Sequence, residues 1–312
     1  MKGLELCRAY YEQYGKPMLE HFPELLPKLA VGMFGAGSQC LGYDDEVSTD
    51  HDFDPGFIIF LPGEDEVDRR SAFLLERAYA KLPKEFMGFR RSVLAPTGGP
   101  RDGVIRIEDF FREKTGEPDG LLSISEWFAV PEQSLLEATN GELYFDNLGL
   151  VRQIREDLSY YPEDIRRKKL AGALLLMGQS GQYNYRRCLQ HGEQAAAQLA
   201  VCEFVRSTLA VIFLLNRKYR PFYKWSFRAL RQLPILRLHA ELLEYLLTTG
   251  NEEGMVEEKS AVIESIAADV IDALEDQELT RANCGDLEKH AYSVNDGISD
   301  AEIRNGHILA AV

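Results

Sequence analysis

Residues 34–60 read FGAGSQCLGYDDEVSTDHDFDPGFIIF, and this stretch decides the fold. Just before and into it, LAVGMFG at 29–35 is small and apolar, which predicts a buried strand leading to Gly37-Ser38. Residues 35–50 are rich in Gly, Ser and Asp, which predicts a loop with one helical turn after Ser38. Residues 52–61 (DFDPGFIIFL) carry β-branched and aromatic side chains and predict a second strand, ended by a Pro62-Gly63 turn.

A strand, a Gly-Ser turn and a D-x-D strand supply what binding of a nucleoside triphosphate requires. Glycine lets phosphate oxygens approach backbone N–H donors, and the Ser38 hydroxyl adds another donor. Two carboxylates one residue apart on a strand point to the same face. Such a pair can hold one or two Mg2+ ions that clamp the triphosphate during in-line displacement at the α-phosphorus. DHDFD contains two such pairs, Asp50/Asp52 and Asp52/Asp54. Spacing from Gly37-Ser38 favours Asp50/Asp52, with Asp54 further along the same face as an extra ligand or a supporting group. His51 points to the opposite face, where packing is a better reading than catalysis. A His-Asp metal phosphohydrolase is excluded, because His21, His239, His290 and His307 are scattered rather than set at ligand spacing.

Composition bounds the function. The 312 residues are 45% hydrophobic and 27% charged, an ordinary globular mixture long enough for two domains. A net charge of −15 argues against broad duplex nucleic-acid binding, which needs a basic face. Arg and Lys gathered in 152–169 and 217–231 leave room for a local basic pocket. The run Arg166-Arg167-Lys168-Lys169 reads as a solvated helix face. Five cysteines without a C-x-x-C pair predict reduced thiols, not a zinc site or a disulfide framework. The start, MKGLELCRAYYEQYGK, is charged throughout and is not a signal peptide. No uninterrupted apolar run reaches the ~18–20 residues that span a bilayer. The longest, near Leu209–Leu215, is bounded by Arg206 and Arg217. The expectation is a soluble cytoplasmic protein with no membrane partner.

Periodicity predicts helices over 3–22 and 65–82, a strand at 104–107, a short helix at 108–114, a helix opening at Pro131 and a strand at 143–145. From about residue 148 strand signals cease and helical patterns follow one another. The expected class is α+β: a small mixed-sheet domain over 1–147 and an all-α domain over 148–312.

The Gly-Ser pair, Gly42 and the S-x-D-x-D run resemble the nucleotidyltransferase (polymerase-β-like) superfamily. More narrowly, residues 37–61 together with ATNGELYFDNLG, LSYYPEDI, GQYNYRRCLQHGE and LNRKYRPFYKWSFRALRQLP resemble bacterial nucleotidyltransferase-like proteins grouped as domain of unknown function 4037. The resemblance implies that Gly37 and Ser38 contact phosphates and that Asp50 and Asp52 bind Mg2+ (or Mn2+). It places the active site in the cleft between the two domains. It also implies a third carboxylate on a neighbouring strand, acting as base for the incoming hydroxyl. Asp102, Glu108 and Asp109 flank the strand at 104–107, and Asp146 ends a later one; Glu108 is the first choice. Asn184, Arg187 and His191 fall at i, i+3 and i+7 and share a face if one helix runs through them. Spacing alone leaves a solvated face equally good; the resemblance favours contact with ribose or triphosphate. Lys224, in an aromatic-basic cluster with Tyr219, Tyr223 and Trp225, supplies a point charge for a phosphate, whereas Trp225 packs. The expected activity is Mg2+-dependent transfer of a nucleoside monophosphate from an NTP to a hydroxyl, releasing pyrophosphate (an EC 2.7.7-type reaction). The acceptor, a small molecule, a protein side chain or an RNA end, is not legible, because fold does not settle substrate. A nucleotide-binding regulator lacking a working third carboxylate is the alternative.

Overall fold

The computed structural model describes residues 1–47, 53–91, 102–252 and 254–312. It divides into two compact units, one of Met1–Glu126 with Val130–Ser159, the other of Trp127–Ala129 with Tyr160–Val312.

The first unit is built on a four-stranded mixed sheet. Strands β1 (Ala30–Met33), β2 (Ile58–Leu61), β5 (Gly103–Arg106) and β6 (Glu142–Asp146) stand in the order β5-β2-β1-β6. β1 is antiparallel to both β2 and β6, whereas β2 and β5 are parallel, with Ile58 opposite Gly103. The expected strand at 104–107 is present, displaced by a residue, and the short strand at 143–145 is present with one more residue at each end. A separate two-stranded ladder, β3 (Glu85–Phe86) and β4 (Phe89–Arg90), has no counterpart in the sequence reading.

Side chains alternate across the sheet. Val31 and Ile59 face a core shared with Leu6, Tyr10 and Tyr11 and with Leu75 and Tyr79 of helix α4 (Arg69–Ala80). Phe60, their neighbour in sequence, faces the other way. Its ring stacks on Phe34 at 4.8 Å and meets Phe110 edge-on at 5.3 Å. Phe110 lies on α5 (Ile107–Thr115). The expected helix over 3–22 forms in three pieces, α1 (Gly3–Tyr10), a π-turn at Tyr11–Gly15 and α2 (Lys16–Leu19).

α3 (Ser38–Leu41), α6 (Ile124–Ala129) and α7 (Glu132–Thr139) precede β6, and α8 (Leu150–Asp157) follows it. α8 stays with the first unit, past the change of character expected at residue 148. Asp146 accepts from the N–H groups of Gly149 (2.9 Å) and Arg152 (2.8 Å), capping α8 onto the sheet.

The second unit is wholly helical: α9 (Glu163–Met177), a π-helical turn at Gly178–Asn184, α10 (Tyr185–Gln190), α11 (Gln194–Leu215), α12 (Tyr223–Leu230), α13 (His239–Thr248), α14 (Met255–Asp276), α15 (Leu287–Asp296) and α16 (Ala301–Asn305). α9 packs against α11 and α15 and is enclosed by them. The basic run on α9 is therefore not a solvated face. Arg166 and Lys168 are buried, Lys168 donating to Asn295 Oδ1 (2.8 Å) and to the carbonyls of Gly306 (2.8 Å) and Arg304 (3.3 Å). Buried cations persist when every donor finds an oxygen. α11 is long and apolar enough to cross a bilayer, yet 61% of its apolar window is buried inside the fold, as in a core helix.

Phe60 is fully buried between Phe34 and Phe110. Phe60→Ala is expected to cost about 3–5 kcal/mol, measured by urea denaturation. A loss below about 1 kcal/mol would show that the far face of the sheet is not a packed core.

Candidate active site

β1 ends at Met33, and the chain turns through Phe34–Gly37 into α3. Gly37 sits at φ +106°, a conformation that excludes an L side chain. Asn140, just before β6, clamps this turn from both sides. Gly35 N–H donates to Asn140 Oδ1 at 2.8 Å, and Asn140 Nδ2 donates to the Gly35 carbonyl at 2.8 Å. Arg155 of α8 fixes Asn140 in turn, its Nη2 donating to the carbonyls of Thr139 (2.7 Å) and Asn140 (2.6 Å). Its guanidinium lies 4.3 Å over the Phe34 ring.

Ser38 and Gln39 are buried at the start of α3. Gln39 ties this turn to the second strand, its Oε1 accepting from Asp54 N–H at 3.3 Å. The Cys7 thiol donates to the Asp54 carbonyl at 3.2 Å. Burial pushes that thiol up to about 12, so it stays protonated and able to donate at neutral pH. The loop beyond α3 is held from the other side. Asp44 is buried; its Oδ2 accepts from Gly3 N–H at 3.1 Å, and Lys2 Nζ donates to the Asp44 carbonyl at 2.5 Å. Asp44 Oδ1 has no partner among the described residues.

Asp102 stands immediately before β5. Because β5 runs parallel to β2, that position is level with Phe57, and Gly103 N–H donates to the Phe57 carbonyl at 3.0 Å. A Cβ on Gly56 would lie 2.6 Å from Asp102 Oδ2, so only glycine admits the carboxylate this close to the β2 backbone. Arg91 Nε pairs with Asp102 Oδ2 at 3.2 Å, and Tyr79 Oη donates to it at 2.9 Å. Burial pushes the Asp102 carboxyl above its ordinary value. Arg91 and Tyr79 pull it back without cancelling burial, and the charge of Asp54 pushes it further up.

Glu108 lies elsewhere. It is in the first turn of α5, past the other end of β5, on the order of 13 Å along the strand from Asp102. Its carboxylate is half exposed and 3.9 Å from Arg112 Nη2. Asp109 is also exposed and pairs with Arg112. Asp146 is opposite Ala30, at the start of β1, and spends both oxygens capping α8. Of the four acids weighed from the sequence, Asp102 is the one that shares the end of the sheet with Gly37, Ser38 and Asp54; Glu142, opposite Met33, also stands at that end and pairs with Arg8 at 2.9 Å. Asp50, His51 and Asp52 lie outside the described residues. Among the described residues no three His, Cys, Asp or Glu side chains gather as a metal-ligand set.

The remaining candidates belong to the second unit. Asn184 ends the π-helical turn, Arg187 is on α10 with its guanidinium 5.4 Å over the Tyr183 ring, and His191 is the C-cap of α10. All three are exposed. Asn184 also lines an open cavity of about 520 Å³ with Gln179, Gln182 and Tyr183, whose wall carries Asp286 and Glu288. A phosphate placed there would meet like charge. Lys224 is exposed on α12, 5.3 Å over the Trp225 ring.

Sequence reading gave no role to Asn140, Gln39, Arg91 or Tyr79. Only Asn140 left a signal, as the Asn-Gly before β6 in a segment already singled out. The others act through contacts distant in the chain.

Residues 127–226 match the family Domain of unknown function (DUF4037), so the resemblance read from the sequence holds over that segment. The solved structures similar to this chain include a nucleotidyltransferase-like protein from Exiguobacterium sibiricum 255-15. It is 12% identical, with a TM-score of 0.37, over 86% of this chain and 76% of that one. No curated protein matches.

The raised carboxyl of Asp102 has a signed consequence. With the folded value above the ordinary 3.8, the folded state binds the proton more tightly, and the ionised form costs stability. That cost is absent below the ordinary value and fully present above the folded one. Asp102→Asn is therefore expected to gain stability relative to wild type as pH rises from acid to neutral, read by denaturation at both ends. A relative loss over that interval would mean that the Arg91 pair outweighs burial.

Proposed function

We propose that this chain is a nucleotidyltransferase that moves a nucleoside monophosphate from an NTP to a hydroxyl of an acceptor, releasing pyrophosphate. The observation that carries this reading is the gathering, at one end of the sheet, of the Gly37-Ser38 turn, Asp54 and the half-buried Asp102. Asp50 and Asp52 precede Asp54 in the chain. In this reading Gly37 and Ser38 offer donors to the phosphates. Asp50 and Asp52 hold Mg2+ (or Mn2+), which when bound neutralises triphosphate charge and polarises the α-phosphoryl group. A cation suits the place, since the charge of Asp54 adds to what burial does to Asp102 and Arg91 answers it only in part.

Asp102 is the proposed base. Its raised pKa makes it a better proton acceptor than an ordinary carboxylate. It takes the proton of the acceptor hydroxyl while that oxygen bonds to the α-phosphorus, and the bond to pyrophosphate breaks. Arg91 and Tyr79 both meet Oδ2, which leaves Oδ1 to face the acceptor. Arg187, His191 and Lys224 are proposed contacts to phosphate, and Asn184, on a wall shared with Asp286 and Glu288, a proposed contact to ribose hydroxyls. The reaction is placed in the cytoplasm, in keeping with five free cysteines.

A second reading, a nucleotide-binding regulator without turnover, is favoured by one observation: the Arg91 pair already engages Asp102. The two readings separate in one experiment. Thermal stabilisation by each of the four NTPs is measured with and without Mg2+, alongside pyrophosphate release. One NTP with Mg2+ is expected to stabilise wild type by about 2.7 kcal/mol at a hundredfold excess over its Kd. Asp50→Asn/Asp52→Asn should lose that gain. Asp102→Asn should keep it while pyrophosphate release falls at least about a hundredfold. Binding without release in wild type would favour the regulator, and no stabilisation by any NTP would remove both readings.

A further inference from the structure

Between Glu203 and Glu241 the chain has eight Lys and Arg and no Asp or Glu, in a protein whose net charge is −15. Five of the nine residues 219–227 are aromatic, including Trp225, one of two tryptophans in the chain. The structure gathers these features on one segment of the second unit. Asn216 joins its two ends, its Nδ2 donating to the Ile235 carbonyl at 3.0 Å and its Oδ1 accepting from Ile235 N–H at 2.9 Å. Lys218 therefore follows one side of that junction and Arg237 the other.

Five of these cations fall into two groups. Arg217 pairs with Glu163 and Arg231 with Glu244, so both are spent on local acids. Lys218, Lys224 and Arg237 are exposed, and no acid pairs with them among the described residues. The aromatics divide likewise. Tyr219 is buried, whereas Tyr223 is 77% exposed and leans on Phe222 with ring centroids 4.3 Å apart. Trp225 has two cations over its ring, Lys224 Nζ at 5.3 Å and the Arg228 guanidinium at 5.6 Å.

An exposed tyrosine held by a second ring contributes little to a core, and cations left unpaired in the same segment gain nothing from the fold. Flat rings interleaved with cations match the two halves of a single-stranded nucleic acid, whose bases stack and whose phosphates need positive charge. We propose that residues 217–237 form a binding strip for single-stranded nucleic acid, with Tyr223 as the stacking platform and Lys218, Lys224 and Arg237 as phosphate contacts. A duplex, with its bases already stacked, would use only the charge. A bilayer would need a broader apolar face than this short helix start offers. Strand binding here needs neither nucleotide nor metal, and although Lys224 is shared with the transfer reading, Lys218, Tyr223 and Arg237 have no part in it, so their variants test the strip separately.

The test is fluorescence anisotropy with a labelled single strand of about twelve nucleotides, in chelator and without NTP, over a range of salt concentrations. The single strand is expected to bind more tightly than a duplex of the same sequence. Tyr223→Ala should weaken it about tenfold while Tyr223→Phe preserves it. Lys218→Gln/Arg237→Gln should flatten the slope of log affinity against log salt by about 1.4. Helical circular dichroism of each variant confirms the fold. Equal binding of duplex and single strand, indifference to Tyr223→Ala, or capture by anionic vesicles without strand binding would each overturn the proposal.

Discussion

The parallel pairing of β5 with β2 decides which acids can act together in the first unit. β1 delivers the Gly37-Ser38 turn at its C-terminal end, and antiparallel pairing brings the start of β2 to the same level. A parallel β5 must also begin there, so the residue before it arrives beside Asp54 and Gly56. Had β5 run the other way, α5 and its exposed carboxylates would stand at that end and Asp102 at the far one. The rest of the unit supports this choice. Asn140 and Arg155 stiffen the turn, Gln39 and Cys7 fix Asp54, and Arg91 with Tyr79 makes burial of Asp102 tolerable.

Much of the architecture was legible because it is written in short range. The apolar run before Gly37, the β-branched run after Asp54, the Pro62-Gly63 stop and the loss of strand signals past β6 each rest on neighbouring residues. Which acid stands beside Asp54 was not legible, because the sequence shows where a strand lies but not which way its partner runs. Asp102 and Glu108 flank the same strand and look equivalent until the pairing is known. The burial of Arg166 and Lys168 was hidden for a related reason. Four consecutive basic residues read as a solvated face unless one knows that two helices close over them. The π-turns at 11–15 and 178–184 left no periodic trace, since one extra residue per turn barely disturbs an apolar pattern.

The second unit uses its cations in two unlike ways. Lys259, like Lys168, is fully buried and donates to three neutral oxygens, those of Gln198, Thr249 and Asn251. Burial lowers the pKa of both amines. These lysines join helices to loops and are closed to any ligand. The cations of residues 217–237 are mostly at the surface, in a segment free of acids. An acidic protein can thus carry a basic face of small extent, which a net charge conceals.

Asp44 gives the helix α1 a first-turn partner 41 residues away in sequence. The Gly3 amide keeps its acceptor only while the loop after α3 is in place. Helix start and loop are then two halves of one equilibrium, and whatever stabilises either must stabilise the other by the same amount. Hydrogen exchange at Gly3 therefore reports on the ordering of a loop that contains none of its neighbours in the chain. A ligand that settles the loop would slow exchange there without touching the helix.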